Sequence, residues 1–422
     1  MTNVNPRGRW NHVIPVAFLM YTIAFMDRIN VGLALPPMAK SLHFNPTIGG
    51  TVFGIFFIGY LILQIPGGYL AEKWSAKRVV LVLLVAWGLF AILTGFVQNV
   101  TQLLVVRFLL GVVEGGVWPA TLILLSHWFP RDERARANNL WMLCLPVAAT
   151  LVSPLSGYIL HISNWHMLFI IEGIPPFVWA IVWAIFIQDT PAKASWISTE
   201  ERNFIEHAVA SERADRDRPD LNTMAKAFKS GTVWRLALVY FFAVIPGYGV
   251  ASFLPSLLKK AGFGVQAQGI ITALPFVTAI IGLIVVGWLS DRAMARKRFV
   301  IVPVLILGVG VVVSALTQNA VGLSLVLLIL AGFGLYSFLG PFWALVGQLL
   351  PPETAGSGFG LINAIGNLGG FFGPLVIGAL DTATGSFFTG FLFLGLSALL
   401  VAVLIWGVHI REGKDAEVKM AG

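Results

Sequence analysis

The sequence predicts an all-α membrane protein of 12 transmembrane helices, built as two six-helix pseudo-repeats. Three observations carry that prediction. First, the 422 residues are 57% hydrophobic and 11% charged, where a soluble domain is about one quarter charged. A mean hydropathy of +0.83 is too high for apolar residues confined to a core. Second, apolar runs long enough to cross about 30 Å of hydrocarbon, near 20 residues each, recur between charged or Pro- and Gly-rich breaks. Third, the chain matches itself at an offset of 219–220 residues.

In chain order, a short polar piece with Arg7 and Arg9 comes first. No small-residue cleavage site precedes the first apolar run, so no signal peptide is expected. Spans follow near 12–35, 47–71, 78–97, 100–125, 137–160 and 166–187, then 232–256, 268–290, 299–317, 321–349, 356–380 and 387–410. Between the sixes, residues 188–231 hold 7 Lys/Arg and 8 Asp/Glu. Ser198, Thr199 and Glu201 there read as a capping box opening a short amphipathic helix. The expected organisation is an N-terminal bundle over 1–187, a cytoplasmic linker over 188–231, and a C-terminal bundle with a short cytoplasmic tail over 232–422.

Charge placement sets the expected orientation. With the N-terminus inside, 23 of the 28 Lys and Arg fall on that side. Three lie outside (Lys40, Lys259, Lys260), and two, Arg28 and Arg107, lie within spans. Both termini are therefore expected in the cytoplasm by the positive-inside rule. The net charge of +8 needs no nucleic-acid partner to explain it. One cysteine, Cys144, rules out an intrachain disulfide and a multi-Cys metal site. No P-loop or metal-ligand cluster is present. The run Gly356, Gly358, Gly360 lacks the βαβ context of a dinucleotide site. No enzyme activity and no cofactor are expected.

The repeat is read at three places. Gly68, Leu70, Glu72 and Lys73, then Lys77 and Arg78, return as Gly287, Leu289, Asp291 and Arg292, then Arg296 and Lys297. Glu133 and Ala135 after Pro130 return as Glu353 and Ala355 after Pro351 and Pro352. Ser153 and Pro154 return as Gly373 and Pro374. Parallel repeats of this kind place a substrate site near the midplane between the halves. The loop motif G-x-L-x-[DE]-[RK] followed by two basic residues, once per half, resembles the major facilitator superfamily. The first copy has Ser75 and Ala76 where the motif has its second Gly. The resemblance implies alternating access by rocking of the halves. Glu72, Lys73, Arg78, Asp291 and Arg292 would then act as cytoplasmic latches.

Four charges lie inside the spans: Asp27 and Arg28 in span 1, Arg107 and Glu114 in span 4. Each costs about 2.5–3.5 kcal/mol at a helix centre if left unpaired, and their sum is zero, which points to mutual pairing. Arg107 and Glu114 are two turns apart, about 10.5 Å along the axis. A partner for Glu114 is therefore expected from span 1 or from a ligand. At an offset of 220 the counterparts of the four are Gly247, Tyr248, Leu327 and Gly334. The fold unit stands without them, so the charges serve function. A guanidinium fork binds carboxylate at two points and stays charged at any pH. A carboxyl buried beside it holds its proton or not according to whether that fork is engaged elsewhere. That is a proton-coupling device.

The residues resemble one family within the superfamily. Asp27, Arg28, Asn30 and Ala34 look like the D-R-x-N-x-x-x-A signature of the anion:cation symporters. Arg107, Gly111, Glu114, Gly115 and Pro119 look like its R-x-x-x-G-x-x-E-[AG]-x-x-x-P. Trp128, Phe129 and Pro130, with Arg134, Arg136 and Asn138, fit its loop. That family includes tartrate, rhamnonate, galactonate, phthalate and hydroxyphenylacetate permeases, vesicular glutamate transporters and sialin. The resemblance implies Arg28 as substrate-carboxylate ligand, Asp27 and Glu114 as protonation sites, and Arg107 as the Arg that switches between acids. Tyr60, Trp343 and Asn363 match its pocket positions. Tyr248 and Asn367 are added from position, Tyr248 opposite Arg28 in the repeat and Asn367 one turn from Asn363. Glu172 in span 6 is a further buried acid, read as a packing or gate contact.

The expected function is proton-coupled uptake of a small organic carboxylate (a hydroxy or sugar acid, or an aromatic acid) across a bacterial inner membrane by a monomer in the lipid bilayer, protons being the coupling ion. The alternative is an electroneutral organic-anion exchanger. The C-terminal spans hold no Arg or Lys in their cores, which disfavours a two-cation exchanger site. The G-x-x-x-G-P pattern of efflux antiporters is Ala149, Ser153, Pro154 in span 5, but it does occur in span 11 at Gly369, Gly373 and Pro374.

Overall fold

The computed structural model describes residues 7–214, 226–293, 295–350 and 352–408. The linker stretch 215–225, Pro351 and the tail 409–422 lie outside the described residues. Eleven described segments are long and apolar enough to cross a membrane. One of them, Pro46–Thr94, has 49 residues and reverses at Ser75, whose extended backbone (φ −178°) separates two crossings, giving twelve.

The N-terminal lobe holds span 1 (Arg7–Leu42), span 2 (Pro46–Leu70), span 3 (Ala76–Thr94), span 4 (Val100–Gly115 and Val117–Trp128), span 5 (Arg131–Met142 and Cys144–Ile162) and span 6 (Trp165–Glu172 and Pro175–Phe186). The C-terminal lobe holds span 7 (Gly231–Lys260), span 8 (Val265–Ala293), span 9 (Arg296–Leu316), span 10 (Val321–Ala331, Gly334–Ser337 and Leu339–Leu349), span 11 (Pro352–Asn367 and Gly369–Thr384) and span 12 (Phe387–Trp406). Helix ends are closed by short polar side chains: Asn45, Ser75, Asn99, Asn164, Ser230 and Ser386 each accept a hydrogen bond from a main-chain N–H in the first turn. Large apolar side chains such as Ile181, Ile185, Val403 and Trp406 face outward, as lipid requires.

The repeat is visible in the helix starts: 46 and 265, 76 and 296, 100 and 321, 131 and 352, 165 and 387. The offset thus drifts from 219 to 222 along each half. A constant 220 therefore misaligns some positions. At 221, Arg107 and Glu114 correspond to Leu328 and Leu335. At 219, Asp27 and Arg28 correspond to Pro246 and Gly247. All four counterparts remain uncharged.

The termini side carries Arg7 and the end of span 12, where Lys297 Nζ bonds the Trp406 and Val408 carbonyls. On the opposite, far face the lobes are pressed together. Spans 2 and 11 meet so closely that a Cβ on Gly50 would lie 2.2 Å from the Pro374 carbonyl. One on Gly32 of span 1 would lie 2.1 Å from the Ala251 carbonyl of span 7. Thr47 bonds Thr382 Oγ1 (2.8 Å) and the Gly378 carbonyl (3.4 Å) across this seam. On the termini side, Glu72, Lys73, Arg78, Asp291 and Arg292 are exposed. Arg78 lies over Trp74 and Arg292 over Trp288, and Asp291 pairs with Arg296, each within its own lobe.

The linker helix, Thr199–Ala214, is docked on the N-terminal lobe. Ser198 Oγ accepts from Glu201 N–H (3.2 Å), which is one half of a capping box. The Glu201 carboxylate turns instead to Arg9 (2.8 Å), which also holds Glu133 at 2.6 Å and is fully buried.

Candidate functional site

Between the lobes lies a small cavity of about 60 Å³, well below the roughly 300–1,000 Å³ usual for a small-ligand site. Its N-terminal wall is Tyr21, Phe25, Arg28, Tyr60, Trp118 and Leu145. Its C-terminal wall includes Tyr240, Gly247, Tyr248, Leu335, Tyr336, Phe338, Asn363 and Asn367. Among the described residues, Arg28 is the single charged side chain on this wall. Its Nε donates to Glu114 Oε2 at 3.0 Å and its Nη2 to the Tyr21 hydroxyl at 3.1 Å. The guanidinium stands 4.6 Å above the Tyr60 ring and 5.2 Å from that of Phe56, so aromatic faces flank the charge. Tyr21 and Tyr60 hydroxyls are 3.4 Å apart.

Glu114 is fully buried behind Arg28, and its Oε1 has no hydrogen-bond partner. The partner from span 1 that the helix spacing demands is thus Arg28. Asp27 points away from the cavity. Its carboxylate accepts from the Trp87 indole N–H and from Asn30 Nδ2 (3.5 Å). Arg107 donates through Nη1 to the main-chain carbonyl of Asp27 at 3.1 Å, not to either carboxylate, and lies 5.2 Å from the Phe56 ring. Its Nε and Nη2 are buried with no partner in the protein. An Arg so held has two free donors for an acid that moves. All four charged residues are at most 3% exposed.

Of the residues singled out in the sequence, Arg28, Tyr60, Tyr248, Asn363 and Asn367 come together on the wall. Tyr248 packs edge-on against Phe57 (4.4 Å). Asn363 Nδ2 donates to Gln64 Oε1 of span 2 at 2.8 Å, and Asn367 Nδ2 to the Asn363 carbonyl at 2.8 Å. This bridge spans the lobes on the termini side of Tyr60. Trp343 is not on the wall. It stands behind Tyr240 (5.1 Å, edge-on) and stacks on Phe359. Tyr21, Trp118, Tyr240, Tyr336, Gln64, Asn30 and Trp87 are site residues that sequence reasoning did not assign. Tyr21 had a signal, since it precedes Arg28 by seven residues, two turns on one helical face. For Trp87 there was none.

Two repeated lobes, sealed on one face around a central cavity with one cation, are the architecture of an alternating-access secondary carrier. The family model described as Major Facilitator Superfamily matches residues 17–374 and 236–420, and the chain belongs to that superfamily. It is 33% identical, over 96% of its length and 91% of the relative's, to a protein of Agrobacterium vitis named as a tartrate transporter. It is 30% identical, over 94% and 93%, to a quinolone resistance transporter of Acinetobacter baumannii. The inward-open xylose transporter of E. coli has the same fold, with a TM-score of 0.76 at 15% identity over 97% and 98% of the two chains. The protein is a multi-pass membrane transporter of this type and not an enzyme.

Proposed function

We propose that the protein imports a small organic carboxylate together with protons, its termini lying in the cytoplasm. The observation that carries this reading is the Arg28–Glu114 pair on the cavity wall. A substrate carboxylate must compete with Glu114 for the same guanidinium. Once displaced, Glu114 is a buried carboxylate with no cation and takes up a proton, because an unpaired charge there is far costlier than a neutral acid. Substrate and proton therefore bind together, and with a monoanion and one proton the site's net charge does not change. Asp27, held by neutral donors only, is the second proton acceptor. Arg107, with its two free donors beside Asp27, receives that acid when it is ionised. Closed on the far face, this conformation is the inward-facing one. The two Asn and the Tyr hydroxyls opposite Arg28 orient the rest of the substrate.

The relative named for tartrate transport supports a hydroxy-acid substrate. The one named for quinolone resistance, together with eight aromatic rings on the wall, favours a second reading, an aromatic acid moved outward. Uptake into proteoliposomes under an inward proton gradient tests both, with hydroxy, sugar and aromatic acids as probes. The proposal requires accumulation that falls as external pH rises and is lost in Asp27→Asn and Glu114→Gln. Proton-driven uptake that survives both substitutions refutes it. Counterflow without any gradient dependence points to an exchanger.

A further inference from the structure

Outside the substrate cavity, the hydrogen-bond chain that starts at Asp27 continues to another acid. Glu172 ends the first piece of span 6 and is 4% exposed. Ser156 Oγ of span 5 donates to its Oε1 at 2.7 Å, and Asn30 Nδ2 of span 1 donates to its Oε2 at 2.7 Å. That Asn30 nitrogen is also 3.5 Å from Asp27 Oδ1, so two buried carboxyls share one amide donor. Asn30 Oδ1 is itself buried with no donor facing it. By rotating, the amide can offer N–H to an ionised carboxyl or oxygen to one that carries a proton. Simple packing would be served equally by Gln, without the cost of a buried acid.

The groups around Glu172 leave Asp27 as its ionisable neighbour. Arg28 of span 1 is turned to Glu114, and Arg107 of span 4 to the Asp27 carbonyl. Span 3 presents the Trp87 indole, which bonds Asp27, and span 5 presents Ser156. On the same helix as Glu172, His166 is turned to the Gly95 carbonyl. A second cavity opens on the far face, with Leu33 and Leu160 in its wall. Leu33 is three residues beyond Asn30 and Leu160 four beyond Ser156, about one helical turn each. The two partners of Glu172 thus form the layer directly beneath that cavity.

We propose that Glu172 is a further proton-binding carboxyl of the carrier, loaded from the far face and coupled to Asp27 through the shared Asn30 amide; this deepens, and rests on, the proton-coupled reading. The step is a simple transfer. The Glu172 carboxylate takes a proton from a hydronium ion at the outer cavity, forming its O–H bond and leaving water. Asn30 then offers its oxygen to that O–H or releases its N–H to Asp27, which is thereby stabilised as the carboxylate and gives its proton to water on the termini side. The pair starts and ends with one negative charge, passing through a neutral state in which both acids hold a proton.

The test needs no substrate. Infrared difference spectra of the purified carrier in lipid, stepped between about pH 5 and pH 9, report each protonated carboxyl by its carbonyl stretch. One titrating band is expected to vanish in Glu172→Gln. Its midpoint is expected to fall in Asp27→Asn, where the Asn30 amide is freed for Glu172. It is expected to rise by about one pH unit in Ser156→Ala, which removes a hydrogen bond to the ionised form. The Ser156→Ala arm stands even if Glu172→Gln fails to insert. A spectrum in which Glu172→Gln loses no titrating band, or a midpoint unmoved by both other substitutions, overturns the inference. Proton-driven uptake surviving in Asp27→Asn and Glu114→Gln would instead bring down the underlying reading.

Discussion

Glu114→Gln is the most direct probe of competition at Arg28. The pair is 3.0 Å apart, with side chains 3% and 0% exposed, so it is an ion pair in a dry setting. Breaking such a pair by removing one partner costs about 3–5 kcal/mol, and a substrate carboxylate that displaces Glu114 faces that cost until a proton neutralises the acid. With Gln in place the substrate displaces a neutral amide, whose hydrogen bond to a guanidinium is worth about 1.5–3 kcal/mol. The difference, about 2 kcal/mol, predicts binding about 30-fold tighter in the variant at a pH where Glu114 is ionised. If the wild type takes up a proton with each substrate, as proposed, it should lose affinity about tenfold per pH unit for every proton bound. The variant's slope should be smaller by one proton. Calorimetric titration of the solubilised carrier across pH measures both, and counterflow in proteoliposomes checks that the variant still moves substrate. Weaker binding with an unchanged pH slope would refute the competition and with it the role given to Glu114.

Three further outcomes follow from the geometry. Gly50→Ala puts a methyl 2.2 Å from the Pro374 carbonyl, so the far face cannot close; Thr47→Cys and Thr382→Cys, whose parent hydroxyls are 2.8 Å apart, should cross-link in the parent background and not in Gly50→Ala. The single native cysteine, Cys144, is buried and does not interfere. Gln64→Ala removes the bridge to Asn363 at the cavity mouth; a neutral hydrogen bond of about 0.5–1.5 kcal/mol predicts counterflow roughly 2- to 12-fold faster, and slower exchange would contradict its role as an inner latch. Arg9→Ala leaves Glu201 and Glu133 unpaired and should destabilise by about 3–5 kcal/mol, read as a lower Tm and faster proteolysis at the linker helix.

The fold was legible because lipid leaves few choices. A chain with long apolar runs must make helices there, and a self-match at one offset fixes two bundles. The four intramembrane charges were legible because they are expensive features that a sequence cannot carry idly, and the loop motifs because they recur once in each half. Pairing was only half legible. Helix periodicity showed that Arg107 could not reach Glu114, but not that its donor would go to the Asp27 carbonyl, since main-chain acceptors leave no mark in sequence. The aromatic wall was hidden by its own composition. Tyr240, Tyr336 and Trp118 belong to residue types found throughout membrane helices, and only tertiary packing turns them inward. Trp343 shows the converse, a matching position one layer away from the wall. The drift of the repeat offset has a similar origin, because loops differ in length by one residue at a time while helices keep their register.

The charges are distributed as a rocking machine needs them. Arg28–Glu114, Arg9–Glu133, Arg9–Glu201 and Arg134–Glu212 lie within the N-terminal lobe and its docked linker helix; Lys260–Asp381 and Arg296–Asp291 lie within the C-terminal lobe. Among the described residues, the hydrogen bonds from Thr47 to Thr382 and Gly378 and from Asn363 to Gln64 cross the seam and join neutral groups. A buried ion pair across the seam would have to be broken in every cycle, at about 3–5 kcal/mol, and would slow the carrier in proportion. Neutral bonds cost about 1 kcal/mol each and are replaced by water or by new partners when the seam opens. On the proposed proton-coupled reading, keeping Asp27, Arg28, Arg107 and Glu114 in one lobe would let proton and substrate exchange partners inside a rigid body. The C-terminal lobe needs only to sense the result. It has the means, since Tyr248 lies against Phe57 and Asn363 holds Gln64, both on span 2, one helix away from Arg28. On the proposed reading, substrate filling the space between Arg28 and these residues would add contacts between the lobes to those at the far face and at Gln64.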